Sequence, residues 1–163
     1  MSRAAASAGP RLGGWLAVGI VLAAAVGGAA WAFWPASGGR ADAGDRQLVA
    51  LGAAVYKVRC ASCHGVKLEG QPDWRSRNAN GRLPAPPHDE SGHTWHHADE
   101  QLFRITKLGL KPPLAPEGYE SDMPAFAGVL TDREIWAVLA YIKSRWPPHI
   151  RDRQRRRDAA YRR

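Results

Sequence analysis

Cysteine is scarce in this sequence, with two residues among 163. A small secreted fold that depends on a disulfide framework needs more cysteines, so that class of protein is excluded. Both thiols lie within one short stretch, CASCHG, at residues 60–65. The chain is long enough for one domain of ordinary size with accessory segments.

Excess positive charge is missing from most of the chain, although the formal net charge is +8. Residues 40–150 carry fourteen lysines and arginines against thirteen acidic residues, so this part is nearly neutral. Residues 151–163 carry seven arginines against two aspartates. Binding of nucleic acid requires a basic face with aromatic rings for stacking, and this tail has only Tyr161. We therefore expect no nucleic-acid partner.

The basic tail, residues 149–163, has few apolar side chains to bury, so we expect it to be disordered. Its arginines leave attraction to anionic lipid headgroups or to an acidic partner open. The nearly neutral body lacks the lysine-rich face that would point to an acidic oxidase or reductase as partner.

A long apolar run precedes the neutral body. Residues 15–34 contain no charged side chain, and as a helix they span roughly 30 Å, the thickness of a bilayer's hydrocarbon core. Residues 1–14 carry two arginines, and the positive-inside rule places them in the cytoplasm. We therefore expect a single-pass transmembrane helix in the inner membrane, with the rest of the chain on the periplasmic side.

A cleaved signal peptide is the alternative interpretation of this run. Residues 30–32, Ala-Trp-Ala, fit a cleavage pattern, but signal peptides have shorter apolar cores of about 7–15 residues. The length favours an uncleaved anchor, and both interpretations export the domain. Residues 35–45, PASGGRADAGD, have the composition of a flexible linker with a root-mean-square reach of roughly 18 Å.

The two cysteines and the histidine that follows them have two interpretations. A thiol–disulfide exchanger needs only C-x-x-C, whereas covalent attachment of a c-type haem needs C-x-x-C-H. Cys60 and Cys63 lie about one helical turn apart and can reach two vinyl groups of one porphyrin, which leaves His64 to bind the iron. The histidine and the exported location favour haem attachment.

Helical patterns flank this motif on both sides. Before it, Gly52 lies inside an apolar run and indicates close approach by another element. After it, residues 99–109 are amphipathic and end at a glycine. Near the C-terminus, Thr131 and Glu134 form a capping box for a helix that ends before Pro147-Pro148. The apolar stripes are Leu48, Leu51, Val55 and Val58 before the motif, and Ile135, Val138, Leu139 and Ile142 in the last helix.

The order of these features resembles that of the class I c-type cytochromes: helix, CxxCH, long proline-rich loop, lone Met-Pro, closing aromatic helix. The resemblance covers residues 46–148 and implies an all-α cytochrome c-like fold of a few short helices around one haem. It implies that Cys60 and Cys63 carry the haem thioethers and that His64 is the proximal iron ligand. It also implies that the first and last helices cross, with Gly52 letting the Tyr141 ring pack closely.

Met123 is the only methionine after the initiator, and Pro124 follows it. Methionine is often a filler of gaps in a core. The resemblance instead implies that Met123 is the distal iron ligand, because the family places its methionine at this position. A Met/His pair raises the reduction potential and closes the iron to small molecules, as a one-electron carrier requires.

Four histidines, His88, His93, His96 and His97, offer alternatives to this arrangement. They could supply a second histidine ligand to the haem or a separate copper or zinc site. The third interpretation is a loop whose imidazoles and Trp95 hydrogen-bond to haem propionates or to backbone. The surrounding prolines and glycines, and the absence of further cysteines, favour the loop.

Three further residues are expected in the haem environment by resemblance. A proline carbonyl in the family accepts the other ring N–H of the proximal histidine, and either Pro86 or Pro87 is placed to do so. Trp95 resembles an aromatic residue that contacts a propionate. Tyr119, shortly before Met123, would cover the haem or fill space.

The resulting prediction is an exported, membrane-anchored cytochrome with one haem c that transfers single electrons between membrane or exported redox proteins. It is not expected to be an enzyme. The alternative is a haem-based sensor or ligand-binding module, or the haem subunit of a redox enzyme, with Met123 labile or replaced by a histidine. Membership of an oxidoreductase complex stays open.

Overall fold

The computed structural model describes residues 40–163, which form five α-helices and one short 3₁₀ helix. The α-helices are α1 (Arg46–Arg59), α2 (Ala61–His64), α3 (Asp99–Leu108), α4 (Asp132–Ser144) and α5 (Pro148–Tyr161), and the 3₁₀ helix is Thr94–His96. This part of the chain contains a single isolated β-bridge and no strand. The all-α prediction therefore holds for the described residues.

The predicted anchor at residues 15–34 and residues 35–39 of the predicted linker lie outside the described residues. Among residues 40–163, no helix is both long and apolar enough to cross a bilayer.

Helices α1 and α4 cross at Gly52. A Cβ atom at this position would lie 1.9 Å from the carbonyl oxygen of Ala137 and 2.9 Å from Cβ of Tyr141. Real side chains do not approach so closely, so only glycine permits this crossing. The rings of Tyr56 and Tyr141 then meet with centroids 5.3 Å apart. The close contact predicted for Gly52 is confirmed, although it is mainly with the backbone of Ala137.

Helices α1, α3 and α4 enclose the larger of two core clusters. Phe103 of α3 stacks on Trp136 of α4 with ring centroids 4.4 Å apart. The four apolar residues predicted for the stripe of α4 are all buried. In α1 the predicted stripe is correct at Leu48 but wrong at Val58, which is 72 % exposed. Val58 lies at the last turn of α1, beyond the crossing with α4.

The start of α4 is fixed by the predicted capping box. The Thr131 hydroxyl accepts the backbone N–H of Glu134 at 3.2 Å, and the Glu134 carboxylate accepts the backbone N–H of Thr131 at 2.8 Å. These two hydrogen bonds satisfy N–H groups that lack a partner within the helix. The predicted helix start is confirmed.

The C-terminal tail is helical, so the expectation of disorder is wrong. Helix α5 begins with Pro148 at its first turn, where a missing N–H costs nothing. Ile150, Gln154 and Asp158 recur every four residues and are all buried against the domain. Two of these three side chains are polar, so the stripe that holds the helix in place does not appear as an apolar pattern. The folded domain thus extends beyond residue 148.

Candidate haem site

The CxxCH motif lies at the junction of α1 and α2. Cys60 ends α1 and begins α2, and its carbonyl oxygen accepts the backbone N–H of His64 at 2.9 Å. Cys60 is half-buried, Cys63 is exposed, and both are free thiols. Burial, followed by the nearby Cys63 sulfur, raises the pKa of Cys60 to about 11. The Cys60 sulfur therefore keeps its proton at neutral pH.

His64 is buried and hydrogen-bonded to the loop across from it. Its Nδ1 lies 2.9 Å from the carbonyl oxygen of Pro86 and donates its proton there. Of the two prolines considered from the sequence, the structure brings Pro86 to this atom. Burial lowers the pKa of His64, against the smaller opposite effect of this hydrogen bond. The imidazole is therefore neutral at pH 7, and its Nε2 lone pair is available to a metal ion.

The Pro86 carbonyl is held in place by contacts of its loop with the haem motif. The His64 carbonyl oxygen accepts the backbone N–H of Gly70 at 2.8 Å. Gly70 has a φ of +70°, and a Cβ there would lie 2.4 Å from the Pro87 nitrogen. The backbone N–H of His88 donates to the carbonyl oxygen of Leu68 at 2.7 Å. The loop is therefore packed against the motif at several points and is more than a solvated connection.

His88 stacks on His64, with ring centroids 4.0 Å apart and ring planes inclined by 22°. Its Nδ1 lies 2.7 Å from the hydroxyl oxygen of Thr94, and its carbonyl oxygen accepts the indole N–H of Trp146 at 2.7 Å. Burial, followed by the proximity of His64, lowers the pKa of His88 well below its ordinary value. From the sequence, His88 could be identified only as one of four histidines in the loop. Its contacts depend on residues far apart in the chain, and no local pattern indicates them.

Tyr56 supports the same motif from α1. Its hydroxyl donates to the carbonyl oxygen of Gly65 at 2.9 Å, directly after the histidine. Burial raises the pKa of Tyr56 far above the physiological range, so the hydroxyl stays a donor. The ring of His64 is therefore positioned by its hydrogen bond to Pro86, and the backbone that follows His64 is positioned by the hydrogen bond from Tyr56 to Gly65.

Met123 and Tyr119 lie in the long connection between α3 and α4. Met123 is half-buried and packs against the larger core cluster, and its backbone N–H donates to the Ser121 hydroxyl at 3.0 Å. Tyr119 is half-buried, and its backbone N–H donates to the Pro116 carbonyl oxygen at 3.1 Å. Their roles as distal ligand and haem cover stay predictions.

Trp95 contacts its own loop and helix α5. Its indole N–H donates to the Glu90 carbonyl oxygen at 3.3 Å, and its ring stacks on His96 with centroids 3.7 Å apart. The guanidinium carbon of Arg153 lies 5.6 Å from the Trp95 ring. The indole N–H already has an acceptor, so the expected propionate contact is not supported by these contacts and stays a prediction.

The remaining histidines of the loop make ring contacts. His93 stacks on Trp74 with centroids 5.3 Å apart, and it meets His97 edge-on at 5.4 Å. Burial lowers the pKa of both His93 and His97. Across residues 40–163, no three or more His, Cys, Asp or Glu side chains are grouped so as to hold a metal ion.

The residues at the motif fit a covalently bound haem c. Two unpaired thiols and a neutral imidazole lie within one and a half helical turns, and the Nδ1 of that imidazole is already engaged by a carbonyl. A soft thioether, Met123, is available in the same domain. Thiol addition to vinyl groups and iron ligation by nitrogen and sulfur require these donor types.

The fold and this donor set define a mostly helical cytochrome c domain. The family model for cytochrome c matches residues 49–146, more than half of the chain, and the chain belongs to that family. Covalently bound haem c with its iron is the cofactor that this family implies.

The chain is also similar to subunits of a cytochrome c oxidase. It is 27 % identical over 96 residues to the cbb3-type cytochrome c oxidase subunit FixP of Sinorhizobium medicae, a match that covers 59 % of this chain and 29 % of the relative. It is 28 % identical over 94 residues to FixP of Rhizobium etli, covering 58 % and 29 %. The chain thus spans less than a third of the length of these relatives. No solved structure matches the chain significantly.

Proposed function

We propose that this protein transfers single electrons through one haem c that is bound by Cys60 and Cys63 and ligated by His64 and Met123. The observation that carries the proposal is the 2.9 Å contact between His64 Nδ1 and the Pro86 carbonyl oxygen. This contact fixes the tautomer that leaves Nε2 free for iron, and it raises the basicity of the ligand. A single CxxCH in the chain is consistent with one haem.

The two thiols would hold the porphyrin covalently. Cys60 and Cys63 would each be joined to one vinyl group of the porphyrin through a thioether bond. Helix α2, which begins after Cys60 and contains Cys63, sets the spacing of the two thiols, and the hydrogen bond from Tyr56 holds the following turn in place. When bound, haem c supplies a one-electron couple between ferrous and ferric iron.

The distal side decides between a carrier and a ligand-binding protein. Met123 would close the sixth position and raise the reduction potential. The buried His64, with the ring of His88 stacked on it, would keep water from the proximal side. Because chemistry on a substrate requires an open position at the iron, this arrangement favours transfer of electrons without turnover.

A carbon monoxide titration tests this assignment. The reduced full-length wild type should bind no carbon monoxide, and Met123→Ala should bind it readily, because the substitution opens the sixth position. His93→Ala is the matched control, since it removes a loop histidine and should behave like the wild type. Ready binding by the wild type would overturn the carrier assignment in favour of a haem sensor or the haem subunit of an enzyme.

The N-terminal run and the relatives support a proposal for the location and the partners. Residues 15–34 would anchor the chain in the inner membrane, with the haem domain on the periplasmic side. The matched FixP proteins are oxidase subunits, so we propose that the partners are membrane or exported redox proteins, with a cbb3-type oxidase as the leading acceptor. Extraction by alkaline carbonate should leave the full chain in the membrane pellet, and its release would contradict the anchor.

A further inference from the structure

Helix α5 presents one face to the domain and an arginine-rich face to the outside. Ile150, Gln154 and Asp158 are buried, whereas the side chains between them are mostly exposed. The family match ends at residue 146, so the helix is an addition to the part of the chain that the family model covers.

A buried polar network fixes α5 in position. Asp158 Oδ1 accepts the backbone N–H of Asp99 at 3.0 Å, at the start of α3. The side-chain amide of Gln154 donates to Asp99 Oδ1 at 2.7 Å, and Lys143 Nζ lies 2.7 Å from the same carboxylate. Three helices are therefore joined at Asp99, and the arginines of α5 are held on a rigid support.

The acidic residues of α5 are already paired. Asp152 forms an ion pair with Arg155, and Asp158 forms one with Arg162. Arg153, Arg156 and Arg157 are exposed, and within residues 40–163 none of the three forms an ion pair. Three uncompensated guanidinium groups on one short helix create a local positive field.

These three arginines line a groove of about 450 Å³ together with Trp95, His96 and Ala160. The groove has no carboxylate in its lining. Trp95 forms an aromatic surface beside Arg153. Arginine and tryptophan are enriched at the centres of protein interfaces, where they contribute much of the binding energy. The groove is therefore suited to an acidic protein surface.

A short chain of contacts connects the groove to the proximal ligand. Trp95 follows Thr94, whose hydroxyl oxygen lies 2.7 Å from Nδ1 of His88. His88 in turn stacks on His64 with ring centroids 4.0 Å apart. A molecule seated in the groove would thus lie a few side chains from the residue that we assign to the iron.

We propose that this groove docks an acidic surface of a protein that exchanges electrons with the haem. The inference rests on the proposed electron-transfer function and names a partner class for it. Ile150, the only large aliphatic residue of α5, is buried in the domain, so the helix has no apolar face to insert into a bilayer. The groove is shallow, and its lining contains an aromatic ring but no large aliphatic side chain, which suits an acidic protein surface better than a lipid surface.

The test is the rate of electron transfer from a reduced acidic blue-copper protein to the oxidised full-length cytochrome, followed by stopped flow. At low ionic strength, R153E/R156E/R157E should react about tenfold or more slowly than the wild type. The control R46E/K57E/K111E makes the same change in net charge at exposed sites away from α5, and it should lose about threefold or less. The neutral R153Q/R156Q/R157Q should fall between the wild type and the charge reversal. High salt should bring all the rates together.

Three results distinguish the outcomes. An equal loss in the two charge-reversed variants would overturn the proposal, because net charge alone would explain it. Unchanged rates in R153E/R156E/R157E would also overturn it. Protection of α5 from trypsin by phosphatidylglycerol vesicles, but not by phosphatidylcholine vesicles, would then identify the face as a lipid-binding one. Hydroquinone, a small uncharged reductant, should reduce all variants equally, and its failure to reduce the wild type would refute the proposed function itself.

Discussion

The close crossing of α1 and α4 at Gly52 predicts that Gly52→Ala destabilises the domain, whereas the same change in an uncrowded helix stabilises it. In a helix with free space around it, Gly→Ala stabilises by roughly 0.5–1 kcal/mol, because alanine loses less conformational entropy on folding. At Gly52 the added Cβ would lie 1.9 Å from the Ala137 carbonyl oxygen and 2.4 Å from its carbonyl carbon. Both atoms belong to the backbone of α4, so the clash cannot be relieved by rotation of a side chain.

Relief of that contact requires α4 to move, and overpacking of this kind costs about 1–3 kcal/mol or more. After the gain in helix propensity is subtracted, we expect Gly52→Ala to destabilise the domain by about 2 kcal/mol. For a domain of this size each kcal/mol corresponds to roughly 4 °C, so Tm should fall by about 8 °C. Thermal unfolding of the haem-loaded full chain, followed by far-UV circular dichroism, measures this change.

The matched control is Ala54→Gly, at an exposed position of the same helix. It should destabilise by about 0.5–1 kcal/mol through propensity alone. The two substitutions therefore both destabilise, although they exchange the same residues in opposite directions. A Gly52→Ala variant as stable as the wild type, or more stable, would refute the close crossing.

Two other substitutions test the polar contacts of the fold. Thr131→Ala should cost about 1 kcal/mol in urea unfolding, because it removes the helix cap. The hydrogen bonds from Thr131 lower the pKa of Glu134, so the stability that its carboxylate adds is present above the ordinary carboxyl pKa and lost as pH falls through the lowered value. The stability difference between wild type and Glu134→Gln should therefore shrink in acid, and a difference that grows would contradict this sign. Asp99→Asn should cost about 3 kcal/mol, because Lys143 is left charged in a site where both side chains are only about a tenth exposed. Asp132→Asn, which breaks an exposed pair, should cost about 1 kcal/mol or less, and equal losses at the two sites would refute the argument from burial.

The sequence predicted the helices whose stabilising residues lie close together in the chain. The capping box and apolar stripe of α4, and the glycine that ends α3, depend on spacings of a few residues. The contact at Gly52 was also predictable, because a glycine inside an amphipathic helix costs stability that close packing by another element can offset. The all-α class followed from these patterns.

The features that the sequence did not predict depend on distant partners. The polar composition of α5 predicts disorder, yet Gln154 and Asp158 are buried through hydrogen bonds to Asp99. A proline at the first turn followed by good helix formers was the available signal. The choice of Pro86 over Pro87 and the stacking of His88 on His64 required the path of the loop.

The central claim is that the iron of a single haem c is bound by His64 and Met123. The absorption spectrum of the oxidised, haem-loaded full chain tests it most directly. A far-red charge-transfer band, which marks a bond between ferric iron and methionine sulfur, should be present in the wild type and in His93→Ala, and absent in Met123→Ala. Covalently attached haem without this band in the wild type would contradict the claim, because the distal side would then be open or held by another residue.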